Sequence, residues 1–258
     1  MTPALPYGLV AQGRWPEAAV ELSWTEEPAR AAGWADEVET AWQALLREEP
    51  TLHDAALAGL RGHLAALDRL SLTLSPSSYR VTVSTHRHFA RFAAAYGLSG
   101  LGMGIAVAVG VVAEGGLVLA RRSQRVFGGR GMWHPAAGHW EPDAHRDAAG
   151  KPSPFACARA EMLEELGLEA HELEGLTLIG VQLNPDTAKP ELHMTARVGL
   201  TVAELSQRQQ TARDAHEIDG LLLVRRAQVP QLVEGALGPV TEIGRACAYL
   251  HDALDLLC

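Results

Sequence analysis

Cysteine is scarce in this chain: Cys157, Cys247 and Cys258 are all there are, and they lie far apart. An odd, scattered set offers no disulfide framework, which suits a reducing cytoplasm. No stretch approaches the ~20 apolar residues that a membrane-spanning helix needs. The most apolar segment, 100–113, is too short and alternates glycine with valine and isoleucine as a strand would. A basic-then-apolar leader is missing from the N-terminus. Positive charge is not in excess either. The net charge is −9, the wrong sign for a protein that binds phosphate backbones. Repeats and low-complexity tracts are absent. These absences leave a globular chain of 258 residues, with neither nucleic acid nor membrane as partner. That length fits one large domain, or a catalytic domain with a smaller attachment.

What is present centres on residues 138–168. Ser153 is a good N-cap, because its hydroxyl can accept from an orphan helix amide. Pro154 follows at the first helical position, where its fixed φ fits and its missing N–H is not needed. Gly167 suits the left-handed residue that ends a helix. A helix of three to four turns over 154–166 is therefore expected. Phe155, Ala158, Met162 and Leu166 form an apolar stripe on it, so it packs on a core. Glu161, Glu164 and Glu165 are related as i, i+3 and i+4 and share one face. Three carboxylates in one turn make either a solvated acidic face or a site for a hard divalent cation, which prefers oxygen ligands. The glycine turn Gly138-His139-Trp140-Glu141-Pro142 just upstream favours the cation site.

These residues resemble the Nudix box, G-x5-E-x7-R-E-U-x-E-E-x-G-U, where U is a bulky aliphatic residue. Gly138 matches the opening glycine, Glu161 the Glu of R-E, Glu164 and Glu165 the E-E pair, and Gly167-Leu168 the close. Two departures stand out. Ala160 occupies the arginine position, with Arg159 one residue off register. A polar insertion over 143–151 separates the two halves, and Pro152 falls where the middle Glu belongs. The missing arginine would orient the glutamates, so its loss bears on metal geometry without removing a ligand. Trp42, segment 57–74, Ser78-Tyr79-Arg80, Arg121-Arg122-Ser123 and Ala215-His216-Glu217 are in turn similar in order and spacing to the branch of this family that hydrolyses UDP-glucose and UDP-galactose. The box arginine is missing there too.

Along the chain, residues 1–98 read as a separate layer in front of the box. Segment 6–26 has room for a short strand or two. Segments 34–47 and 51–67 carry helical spacing, the second through Leu52, Ala55, Ala56, Leu60 and Leu64. Segment 69–74 alternates as a strand, Ser75-Pro76-Ser77-Ser78 reads as a turn, and 86–96 as a helix. Strands are expected at 104–113, 117–120, 176–183, 192–200 and 218–224. Helices are expected at 201–210, 229–235 and 240–257. This pattern fits an α/β/α sandwich with a mixed sheet and an N-terminal α+β extension, the Nudix fold that the resemblance implies. The expected units are an extension over 1–98, with contacts to the substrate base, and a catalytic domain over 99–258.

The resemblance implies Mg²⁺ or Mn²⁺ held by Glu161, Glu165, Glu164, the carbonyl of Gly138 and Glu141, with the loop Glu141 equally readable as solvated. It implies Glu165, Glu164 and Glu217 as catalytic candidates, Glu217 sitting in a loop that often supplies a base. Arg122 and Arg121 end an apolar strand, and alternation sends one to each face, so at most one of them meets phosphate and the other is a solvated cation. Tyr79 and Arg80 are candidate base or ribose contacts by resemblance alone. His134, His139 and His145 crowd the box without zinc-ligand spacing, and His139 is carried as a substrate contact. The expected reaction is hydrolysis of a UDP-sugar to UMP and sugar 1-phosphate. ADP-ribose or another nucleoside diphosphate derivative, or a non-catalytic Nudix-fold binding protein, are the alternatives. A homodimer is left open.

Overall fold

A computed structural model describes residues 5–26, 31–98, 101–126 and 128–257, so Cys258 lies outside the described residues. The N-terminal part contributes strands at Leu9–Pro16 (β1) and Val20–Trp24 (β2), a helix at Trp34–Glu48 (α1), strands at Ala56–Ala65 (β3) and Leu70–Ser78 (β4), and helices at Tyr79–Arg87 (α2) and Phe89–Tyr96 (α3). Then come strands Ala106–Ala113 (β5), Gly116–Arg122 (β6), Trp133–His134 (β7) and Ala136–His139 (β8), and the helix Pro154–Leu166 (α4). The chain closes with Glu174–Leu183 (β9), Pro190–Arg197 (β10), Val202–Gln209 (α5), Ile218–Val224 (β11), Val229–Val233 (α6) and Glu242–Ala253 (α7).

The main sheet runs β1-β9-β10-β5-β6-β11, with β7 paired to β6 and β8 to β5. It is mixed: β10 lies parallel to β5, whereas β5 and β6 form an antiparallel hairpin. All of β5 is buried, as expected of an apolar strand covered on both faces. Phe155, Ala158, Met162 and Leu166 of α4 share a core with Val107, Val109, Leu192 and Met194. Cys247 and Ala248 of α7 pack with Val112, Leu117 and Leu119, residues of opposite parity, so α7 covers the other face. The layering is the α/β/α sandwich read from the sequence. A second sheet, β2-β4-β3, leans on it.

Four readings of the N-terminal part need correction. Residues 1–98 are not a layer of their own. β1 is an edge strand of the main sheet, paired with β9. Ala11, Trp15, Ala58, Leu70, Leu72 and Leu74 belong to the same core as α4. Segment 51–67 is not helical but supplies β3. Its helical spacing is accidental, because the side chains that bury are Leu57 and Ala58, which lie off that stripe. Gly59 and Gly62 weaken a helix further. Segment 75–78 is not a turn, and β4 continues through Pro76. The strand β2 pairs only with residues 70–74 of β4, so at Pro76 that side is an open edge where a missing N–H costs nothing. Finally, 86–96 is not one helix. Ser78 Oγ accepts from the Val81 N–H at 3.3 Å and starts α2 seven residues earlier than the spacing suggests, and α3 follows after His88. That early start brings α2 to the site.

Candidate active site

α4 forms where its local signals put it. Ser153 Oγ accepts from the N–H groups of Phe155 and Ala156 at 3.2 and 3.3 Å, and Gly167 ends the helix at φ +67°. The insertion before it folds back on itself. Arg146 donates to the Asp143 carboxylate at 2.7 Å and to the Gly150 carbonyl at 2.8 Å, and the Ser153 N–H donates to His145 O at 2.9 Å. The extra residues therefore loop out, and β8 and α4 stay in register. Gly138 then lies so close to α4 that a Cβ on it would overlap the Glu161 carboxylate. A side chain there would have to displace that carboxylate.

A cavity of about 570 Å³ opens at this junction, and Gly138, Glu141, Glu161, Glu164, Glu165 and Glu217 all line it. Glu165 is buried and accepts from the Ala137 N–H. Burial, then the charges of Glu161 and Glu217, hold its carboxyl well above the usual range, with Arg122 opposing them. Burial, then Glu164, Glu217, Asp214 and Glu141, push Glu161 up to about 8. Carboxylates outnumber cations in this cluster, and all its metal-ligating donors are oxygens, the chemistry that a hard divalent cation selects. Among the described residues no three His, Cys, Asp or Glu side chains close into a finished cage. Mg²⁺ does not need one, since it keeps several waters and uses one or two carboxylates plus substrate phosphates.

The facing walls come from elsewhere in the chain. The register Ile218↔Arg122 sets Glu217 beside Arg122. Arg122 lines the cavity and is tethered by Nε to the Gly128 carbonyl at 3.0 Å. Arg121 is exposed and reaches Gly131 O, so alternation separates the two as expected of a strand. Tyr79 lines the cavity from α2 and meets the His139 ring edge-on at 5.3 Å. Arg80, one step further round α2, is not a cavity residue. It pairs with Glu39 at 2.8 Å and Asp54 at 3.3 Å. His139 lines the cavity, kept neutral by burial and then by the charges of Lys189, His86 and Arg122.

The NUDIX domain model matches residues 103–241, more than half of the chain. The chain belongs to the Nudix family. It is a pyrophosphohydrolase of that family, whose members generally use divalent metal ions and act on small nucleotides. The mouse uridine diphosphate glucose pyrophosphatase NUDT22 is 28% identical to it over 249 residues, 84% of this chain and 79% of that protein. The human protein of the same name is 27% identical over 248 residues, 83% and 80% of the two lengths. A Nudix hydrolase from Nitrosomonas europaea is similar in structure with a TM-score of 0.39 at 18% identity, over 60% of this chain and 95% of that one. That likeness is too distant to carry argument.

Within the Nudix box Ala160 stands at the arginine position, and the arginine beside it is engaged elsewhere. Arg159 turns to Glu17 at 2.6 Å, and Glu17 also accepts from Ser153 Oγ at 3.0 Å. The off-register arginine thus fastens the N-terminal strands to the start of α4. Cations beside the glutamates come from two other segments: Arg122 bears on Glu165, and Arg213 pairs with Glu164. Arg213, Asp214 and Lys189 were not legible as site residues. They lie in loops, and no spacing rule links them to the box. Among the described residues no helix is long and apolar enough to cross a membrane.

Proposed function

We propose that this Nudix hydrolase cleaves the diphosphate of a UDP-sugar, giving UMP and sugar 1-phosphate. The observation that carries the reading is the single cavity in which the box carboxylates face Arg122 and the α2 residue Tyr79. The mouse and human relatives, both named as uridine diphosphate glucose pyrophosphatases, support the UDP-sugar. Glu161, Glu165 and Glu164, with the Gly138 carbonyl and Glu141, would hold Mg²⁺ or Mn²⁺. A bound ion of this kind neutralises phosphate charge and lowers the pKa of its water.

The chain's own residues supply the rest. The oxygen of water bonds to a phosphorus, and the bridging P–O bond breaks. The proton from water goes to a carboxylate, for which Glu165, Glu164 and Glu217 are the candidates. Arg122 offers a planar fork of donors to a phosphate. Tyr79 and His139 meet edge-on in the same cavity and offer a base or sugar an aromatic surface.

The test is phosphate-coupled turnover with Mg²⁺ on UDP-glucose, UDP-galactose, ADP-ribose and NADH, for wild type and Glu165→Gln. Selective UDP-sugar cleavage that falls by about 10²–10⁴-fold in the variant is the expected result. Preference for ADP-ribose would overturn the substrate. Metal binding without turnover of any of them would favour a binding protein.

A further inference from the structure

Across the cavity from the carboxylates stands an ion pair that the metal site does not use. Glu191 of β10 is wholly buried, and Lys189 Nζ lies 3.1 Å from its Oε1. A buried ion pair is a poor way to stabilise a fold, because desolvation offsets most of the attraction. What this pair does is fix an ammonium in the cavity wall, where Lys189 is a lining residue. The loop that carries it is tightly built. The Asn184 N–H donates to Lys189 O at 2.9 Å, the Ala188 N–H to Asn184 O at 2.7 Å, and the Asp186 N–H to Asn184 Oδ1 at 3.0 Å.

The sheet register fixes where this ammonium stands relative to the box. Ala106 of β5 pairs with His139 on one side and with Glu191 on the other. Glu191 is therefore two strand spacings, about 10 Å, from the strand that carries Gly138 and His139. Among the described cavity-lining residues, Arg122 and Lys189 are the two with permanent positive charge. After burial, both act on His134 and His139 to keep them neutral, so the two cations flank one floor. The cavity thus offers one cation next to the carboxylates and another beyond them.

We propose that Lys189 binds the phosphate lying away from the carboxylate cluster, and that Glu191 is the positioning residue that holds its ammonium there. The assignment rests on reading the cavity as a diphosphate site. One donor of Lys189 faces Glu191, which leaves two for phosphate oxygens. A charge-assisted contact of this kind changes affinity by about tenfold or more.

The experiment is calorimetric titration of the full chain, in Ca²⁺, with UDP, ADP and uridine. The variants are Lys189→Gln, Lys189→Arg, Glu191→Gln and the double Lys189→Gln/Glu191→Gln, which leaves no buried charge alone. Thermal melts establish that each is folded. The expected result is UDP affinity reduced about tenfold or more in Lys189→Gln and in the double variant, less in Glu191→Gln, largely kept in Lys189→Arg, with uridine unaffected. A folded double variant that binds UDP as tightly as wild type overturns the assignment, as does equal weakening of UDP and uridine. If the wild type binds ADP and not UDP, the uracil preference fails and the same series is read on ADP. Wild type that binds neither nucleotide overturns the diphosphate reading, and Lys189 with it.

Discussion

Replacing Glu161 with Gln is expected to stabilise the metal-free protein while abolishing turnover. The folded-state pKa of Glu161 is about 8 against an ordinary 4.5, through burial first and then the charges of Glu164, Glu217, Asp214 and Glu141. Between those values the folded chain keeps a proton that the unfolded chain has released. Unfolding then releases a proton, so stability falls as pH rises, by about 1.4 kcal/mol per pH unit from this group. The penalty is absent below about pH 4.5, reaches about 4 kcal/mol near pH 7.5 and is complete just above pH 8. Gln keeps the size and polarity but cannot ionise. In urea titrations with EDTA, Glu161→Gln should exceed wild type by about 2–4 kcal/mol near pH 7.5, the gap closing towards pH 5. Added Mg²⁺ should raise the wild type and leave the variant unmoved, because a ligand that binds only the folded state stabilises it. A gap between variant and wild type that does not change from about pH 5 to 8 would refute the reasoning, since the linkage relation requires the slope.

Gly138→Ala should cost about a hundredfold in kcat/KM, since its Cβ overlaps the Glu161 carboxylate and displacing a reacting group by about 1 Å is enough for that. Its backbone lies outside the left-handed region, so melting should move little, and a large drop in Tm would count against a purely local effect. Ser153→Ala removes the N-cap that two amides use and should lower stability by about 1 kcal/mol in denaturant titration. His193 and His251 are buried, with burial pulling their pKa values from 6.5 to about 3 and about 4. They stay neutral in the fold while the unfolded chain protonates them. Their contribution is therefore full above about pH 6.5 and is lost as pH falls below it, by about 1.4 kcal/mol per pH unit for each. A double His193→Gln/His251→Gln variant should flatten that acid limb, and an unchanged slope would show that other groups set it.

α4 and β11 were legible without any structure, because their signals are local. Ser153, Pro154 and Gly167 mark the two ends of α4 without help from the rest of the chain, and its apolar stripe names the buried face. The glutamates at i, i+3 and i+4 follow from the same helical period, which is why their clustering at the cavity was legible. In the N-terminal part the helix α1 and the first half of β4 were legible as well, and the rest was not, because it is settled by pairing at a distance. Segment 51–67 has a helix-like spacing that β4 overrides, and β1 finds its partner in β9, more than 150 positions along the chain. Tertiary structure alone closed the insertion on itself so that Gly138 meets Glu161. It also turned Arg159 to Glu17, and brought α2, Arg122, Glu217 and Lys189 to one cavity. Resemblance alone pointed to Tyr79, Arg122 and Glu217, and nothing pointed to Lys189, because no local periodicity links these segments. Their proximity comes from strand register and from burial of one common core, and both depend on the whole chain at once.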